Sequence, residues 1–133
     1  MGDDKKQIRV VSAEIREDGR FLITQRPEHA VLPGLWEFPG GKVRTGESDE
    51  SCLERVAKGR IGVDLKAGQK LFEVTHGYDD YDVVLAVYSC QVTGSEPRPV
   101  SVSQISWVGP DELANYEFPG ADQKTVELLL TEE

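Results

Sequence analysis

The sequence predicts a mixed α/β fold, one domain over residues 1–133, with helices covering a largely mixed sheet. Three observations predict it. Two β-prone runs near the start are joined by a tight-turn dipeptide. A capped helical stretch follows a Gly-rich loop in the middle. A long, continuously apolar run then reads as a central strand, and the chain closes on a segment with helical spacing.

The first pair of strands is "IRVVSAEI" (8–15) and "RFLITQR" (20–26), with Asp18-Gly19 supplying the hairpin signal. The segment "PEHAVLPGLWEFPGG" is punctuated by Pro and Gly and reads as a loop. A helix is expected from Ser48 to Arg60, with Ser48 as N-cap and Asp49 and Glu50 favourable in the first turn. "KLFEVTH" and "DVVLAVYSCQV" follow as strands, the second continuous enough to be central. Beyond the turn-rich "TGSEPRP" come a short strand, "QISWV", and a brief helix start at "GPDELANY", where Pro110 suits the first helical position. The tail "ADQKTVELLLTEE" spaces Val126, Leu129 and Leu130 as a helix would. No internal repeat, low-complexity tract or linker interrupts the chain.

With 133 residues, 38% of them hydrophobic and 29% charged, the chain is long enough to bury roughly two thirds of its unfolded surface in one core. No apolar run approaches the ~20 residues of a membrane span, and the opening "MGDDKKQ" carries no export or import signal. The two cysteines, Cys52 and Cys90, read as reduced core thiols, which points to the cytoplasm. A formal net charge of −9 disfavours nucleic acid and anionic membrane as partners. An anionic ligand therefore needs a local positive site or a metal ion.

"LPGLWEFPGGKVRTGES" and the helix after it resemble the Nudix hydrolase family, most closely its MutT-like branch of nucleotide pyrophosphohydrolases. The family motif is a glycine, five residues, a glutamate, seven residues, then R-E-U-x-E-E-x-G-U, with U a bulky aliphatic. Counted from Gly41, this chain supplies Glu47, Arg55, Ala57 in the aliphatic place, Gly62 and Val63. The likeness runs from the first hairpin to "WVGPDELANYEFPGAD", and it implies a Nudix-type α/β/α sandwich with a mixed β-sheet. Such proteins cleave nucleoside triphosphates and related pyrophosphates with Mg or Mn.

Where the motif calls for three helix glutamates, this chain has Val56, Gly59 and Arg60. The spacing i, i+3, i+4 puts them on one helical face, the arrangement that would aim carboxylates at one cation. None of the three can ligate one, and Arg60 places a positive charge there, costing several kcal/mol against a divalent ion at ~4 Å and an effective dielectric near 20. The branch's further acid lies six residues before the late-strand tryptophan; counting back from Trp107 gives Ser101. Glu47 and the Gly40 carbonyl are too few oxygens for a strong magnesium site, so no metal-binding set is assigned.

Other acids do not replace them. Glu54 lies about 200° round the helix from Val56, and Glu50 and Glu54 read as a solvated face. Asp79, Asp80 and Asp82 in "GYDDYD" could cluster around an ion, but a charged hairpin loop is the preferred reading. His76 has no second ligand at a metal spacing, and His29 reads as a solvated loop residue.

The resemblance carries catalytic roles to Glu47 and Arg55, and ligand contacts to Arg26, Glu37, Phe38, Gly40, Gly41 and Lys42. Tyr78 is a candidate for stacking on a base. Asp122 stands where MutT-like proteins carry a purine-reading asparagine. An ionised aspartate only accepts hydrogen bonds, so the base edge it suits is one that offers donors.

Two function classes follow. One is an inactive or weak hydrolase binding a nucleotide or other pyrophosphate-containing small molecule, with Arg55, Lys58 and Arg60 standing in for magnesium, or else a domain binding a protein partner. The other is an active Mg-dependent pyrophosphohydrolase with a rebuilt metal site. Installing Val56→Glu, Gly59→Glu and Arg60→Glu together is expected to create a divalent-ion site at little cost in stability.

Overall fold

In the computed structural model, which describes residues 6–29 and 33–118, the first strand organises the sheet. β1 (Lys6–Glu17) pairs antiparallel with β2 (Arg20–Gln25) through the register Arg16↔Phe21. Asp18 and Gly19, at φ 53° and 76°, make the turn with both central residues in the left-handed region, as the Asp-Gly pair predicts. β2 carries β3 (Trp36–Glu37) and β7 (Gln104–Val108) on its two sides. β1 also pairs antiparallel with β4 (Gly40–Lys42) and parallel with β6 (Tyr81–Thr93). β5 (Asp64–Gly77) is antiparallel to β6, so β6 is internal, as its apolar run predicts. One parallel pairing among antiparallel ones makes the sheet mixed.

The helix α1 (Asp49–Ile61) is capped at both ends. Ser48 Oγ accepts from the Ser51 N–H at 3.1 Å, and Asp49 and Glu50 occupy the first turn beside the positive end of the helix dipole. Gly62, at φ 69°, ends the helix in the conformation that favours glycine, its N–H reaching the Ala57 and Lys58 carbonyls. The helix therefore starts one residue after the expected Ser48, which is its cap, and ends one residue beyond Arg60.

Cys52, Leu53, Val56 and Ile61 turn inward onto Val11, Ala13 and Ala86 of the sheet. Burying Leu53 or Ile61 stabilises the packing by about 1.5–3 kcal/mol each. A second core holds Phe21, Phe38, Val108, Leu113 and Phe118, with Phe38 stacked on Phe118 at 5.6 Å between centroids. Leu113 belongs to a 3₁₀ turn, Pro110–Asn115, that realises the expected short helix. Cys52 and Cys90 are free and buried.

Two expectations change. The 27–41 loop contains β3 and the start of β4, and the strand expected at Lys70 starts at Asp64. Across Ala67 to Phe72 the β5–β6 register shifts, breaking the alternation that a strand reading depends on. The tail helix and Asp122 lie outside the described residues. Among those residues no helix is long and apolar enough to cross a membrane.

Candidate functional site

β4 delivers the Gly-rich loop to the start of α1 and fixes it from below. Its register is Val11↔Gly41 and Ser12↔Gly40, and a Cβ on Gly40 would collide with the Val11 carbonyl. Above Gly41 lies the face of α1 singled out by the motif: a Cβ there would stand 2.9 Å from Val56 Cγ2 and 3.6 Å from Arg60 Nη2. Val56 and Arg60 thus share one side of the helix and look across at the loop.

Between them opens a cavity of about 640 Å³, walled by loop residues 41–45, by Arg55, Val56, Gly59 and Arg60 of α1, and by Ser101. Among the described residues its lining includes the cations Lys42, Arg44, Arg55 and Arg60 and no carboxylate. Glu50 and Glu54 are exposed and do not line it, as their helical angle predicts. A smaller cavity of about 180 Å³ adjoins, sharing Arg60 and Ser101 and adding Arg26 and Glu37.

Among the described residues, Glu47 and Glu37 beside this cleft are already engaged. Glu47 receives a two-pronged guanidinium contact, Arg55 Nε to Oε2 at 2.7 Å and Nη2 to Oε1 at 2.9 Å, and accepts from the Arg44 N–H at 3.0 Å. Arg55, and then the Arg44 amide, hold the Glu47 carboxyl down at about 2. Glu37 accepts from Arg26 Nη1 at 3.0 Å on one oxygen and from Arg60 Nη1 at 3.2 Å on the other.

Ser101 stands at the open end of α1. Its hydroxyl donates to the Gly59 carbonyl at 3.2 Å, while the amides of Arg98, Val100 and Ser101 reach the Ile61 and Arg60 carbonyls. The segment that would bring the further acid in MutT-like proteins here closes the helix C-terminus.

The remaining predicted residues are dispersed. Phe38 is 2% exposed and belongs to the second core, so its ring does not line either cavity. Tyr78 sits at the β5–β6 tip, stacked on Tyr81 at 5.1 Å and edge-on to His76 at 4.6 Å, away from both cavities. Arg44 was not singled out from sequence, although its place three residues before Glu47 in the same loop is the signal that could have found it. Also unforeseen is a network behind the helix start, where Asp49 accepts from Arg9 Nη2 at 2.7 Å and from the Tyr88 hydroxyl at 2.6 Å. Burial and this acid push the Tyr88 phenol up to about 12.

Among the described residues no group of three or more His, Cys, Asp or Glu could hold a metal ion. The donor set facing the cleft, Val56, Gly59, Arg60 and Ser101, does not fit the oxygen-rich shell of magnesium or manganese.

The NUDIX domain family matches residues 10–128. The chain belongs to the Nudix family. It is 28% identical to a CTP pyrophosphohydrolase of Escherichia coli K12, over 94% of this chain and 93% of that one. It is 32% identical to an 8-oxo-dGTP diphosphatase of Haemophilus influenzae, over 97% and 96%. Among solved structures, a MutT Nudix hydrolase from Burkholderia pseudomallei superposes with a TM-score of 0.81 at 28% identity, covering 92% of this chain and 97% of that one. A MutT protein of a methicillin-resistant Staphylococcus aureus does so with 0.73 at 36%, covering 97% and 99%. This is a MutT-like Nudix chain with the mixed α/β sheet of its relatives.

Proposed function

We propose that this Nudix domain binds a nucleotide or another pyrophosphate-containing small molecule, and that it hydrolyses its ligand weakly or not at all. The observation that carries the reading is the lining of the larger cavity, which contains Lys42, Arg44, Arg55 and Arg60 and, among the described residues, no carboxylate. The family setting supplies the ligand class, since the similar proteins bear the names of enzymes acting on CTP and 8-oxo-dGTP. Cations on a loop and a helix face replace the metal as partners for phosphate oxygens, and guanidinium groups suit them by offering paired N–H donors. With no carboxylate among the described residues lining the larger cavity, and Glu37 beside it held by two arginines, charge neutralisation by an ion and an activated water both lack a holder, each worth several kcal/mol of barrier. The free thiols of Cys52 and Cys90 suit a cytoplasmic setting, and the net charge of −9 argues for a small ligand over nucleic acid.

The test is a hydrolysis assay on CTP, dGTP and 8-oxo-dGTP in millimolar Mg²⁺ or Mn²⁺, beside a thermal-shift screen of the same compounds. Ligand-dependent stabilisation with negligible turnover is expected. Turnover of about one per second, abolished by EDTA, overturns the reading in favour of an active enzyme with metal ligands elsewhere, and the Asp79, Asp80 and Asp82 hairpin is then the first place to mutate.

A further inference from the structure

We infer that the cavity takes its polyphosphate ligand free of metal, so that magnesium in solution weakens binding instead of promoting it. This rests on the pyrophosphate-binding reading above and adds a selectivity to it. Arg60 is the centre of the case. Its guanidinium is tethered through Nη1 to Glu37 at 3.2 Å, and its Nη2 hangs over Gly41, 3.6 Å from where a Cβ would be. The positive charge is therefore positioned before any ligand arrives, and ordering the side chain costs less on binding. Glu37, shared with Arg26 at 3.0 Å, has both oxygens occupied by guanidinium groups and is a poor candidate to turn toward a metal.

Around Arg60 the charges do not cancel. Arg55 is matched by Glu47, but the side chains of Lys42 and Arg44 form no ion pair among the described residues. Both are exposed on the loop wall of the cavity. In a chain whose formal net charge is −9, this is a local reversal of sign.

A metal-free polyphosphate brings its full negative charge to these cations and leaves its oxygens open to their N–H donors. Magnesium cancels two of those charges, occupies oxygens the arginines would use, and keeps a rigid shell of water. Among the described residues the cavity lining has no carboxylate to exchange for that water or to offset the ion's charge, and Arg60 repels it. The metal-loaded ligand therefore loses attraction and gains nothing.

Calorimetric titration of the full chain with inorganic tripolyphosphate tests this, in EDTA and in excess Mg²⁺ at matched ionic strength, with orthophosphate as a control for simple charge screening. Binding about tenfold or more weaker in Mg²⁺ is expected, a difference of about 1.4 kcal/mol. Arg60→Gln should shrink that ratio, and Arg44→Gln, on the exposed loop, should weaken metal-free binding in a variant whose folding is not at stake. Equal or tighter binding in Mg²⁺ overturns the inference and leaves the ligand class standing. Absence of tripolyphosphate binding in both conditions overturns the ligand class as well.

Discussion

At the scale of single residues, the acid of the motif loop, Glu47, is tied to the bases beside the cleft. Glu47 does not face the cavity as a spare ligand. It fastens Arg55 to the loop and takes the Arg44 amide. Its carboxyl, ordinarily near 4.5, is held at about 2, so its contribution to stability is complete above about pH 4.5 and is lost as pH falls toward 2. Glu47→Gln removes that contribution at every pH. The stability gap between parent and variant should therefore be widest at neutrality and close between pH 5 and pH 2. Urea midpoints at pH 7, 4 and 3 check this, and a gap as wide at pH 3 as at pH 7 would show that the ion pair is idle.

At the scale of elements, α1 is capped at both ends but carries a weak point in its last turn. Ser48 and Gly62 cap it, but Gly59 sits two residues before its last residue, and glycine in a helix costs up to about 1 kcal/mol against alanine. A Cβ at Gly59 would meet nothing within 4 Å. Gly59→Ala should thus raise stability by about 0.5–1 kcal/mol in denaturant unfolding without disturbing the cavity wall, and a loss would mean that the Ser101 contact with the Gly59 carbonyl tolerates no change. The helix was legible because its cap and first-turn acids are local signals. So were the hairpin, from Asp18-Gly19, and β6, from its unbroken apolar run. β3 and β4 were not, because a strand of two or three residues between Pro and Gly has too little length to show alternation. The motif showed which helix face would meet the loop, and so the positions of Val56, Gly59 and Arg60 at the cleft. It did not show the Arg60–Glu37 pair, which joins residues 23 apart through β3, an element invisible to pattern reading.

At the scale of the whole molecule, Val56 serves both the cleft and the core. It is 5% exposed and packs in the main cluster, which corrects the expectation that three glutamates can be installed at positions 56, 59 and 60 cheaply. A carboxylate at 56 pays about 1–3 kcal/mol of desolvation, its neighbours repel it, and Glu37 loses Arg60. The triple variant should melt below the parent in EDTA and regain stability on adding Mg²⁺ or Mn²⁺, by about 2.7 kcal/mol at a hundredfold excess over Kd. The parent should hardly respond. A larger metal-induced shift in the parent than in the variant would refute the assignment of a disabled site. One feature of the sheet bears on how such a chain is made. Val10 and Ser12 hold β4 on one side, facing Lys42 and Gly40, and β6 on the other, facing Leu85 and Val87. During synthesis the motif and its helix emerge ahead of β6, so β1 waits with an open edge that invites wrong partners. Closing that parallel pair spans most of the chain and belongs to the slow, non-local class of folding events. A nascent chain halted short of Tyr81 would carry every residue of the motif and no finished floor beneath it.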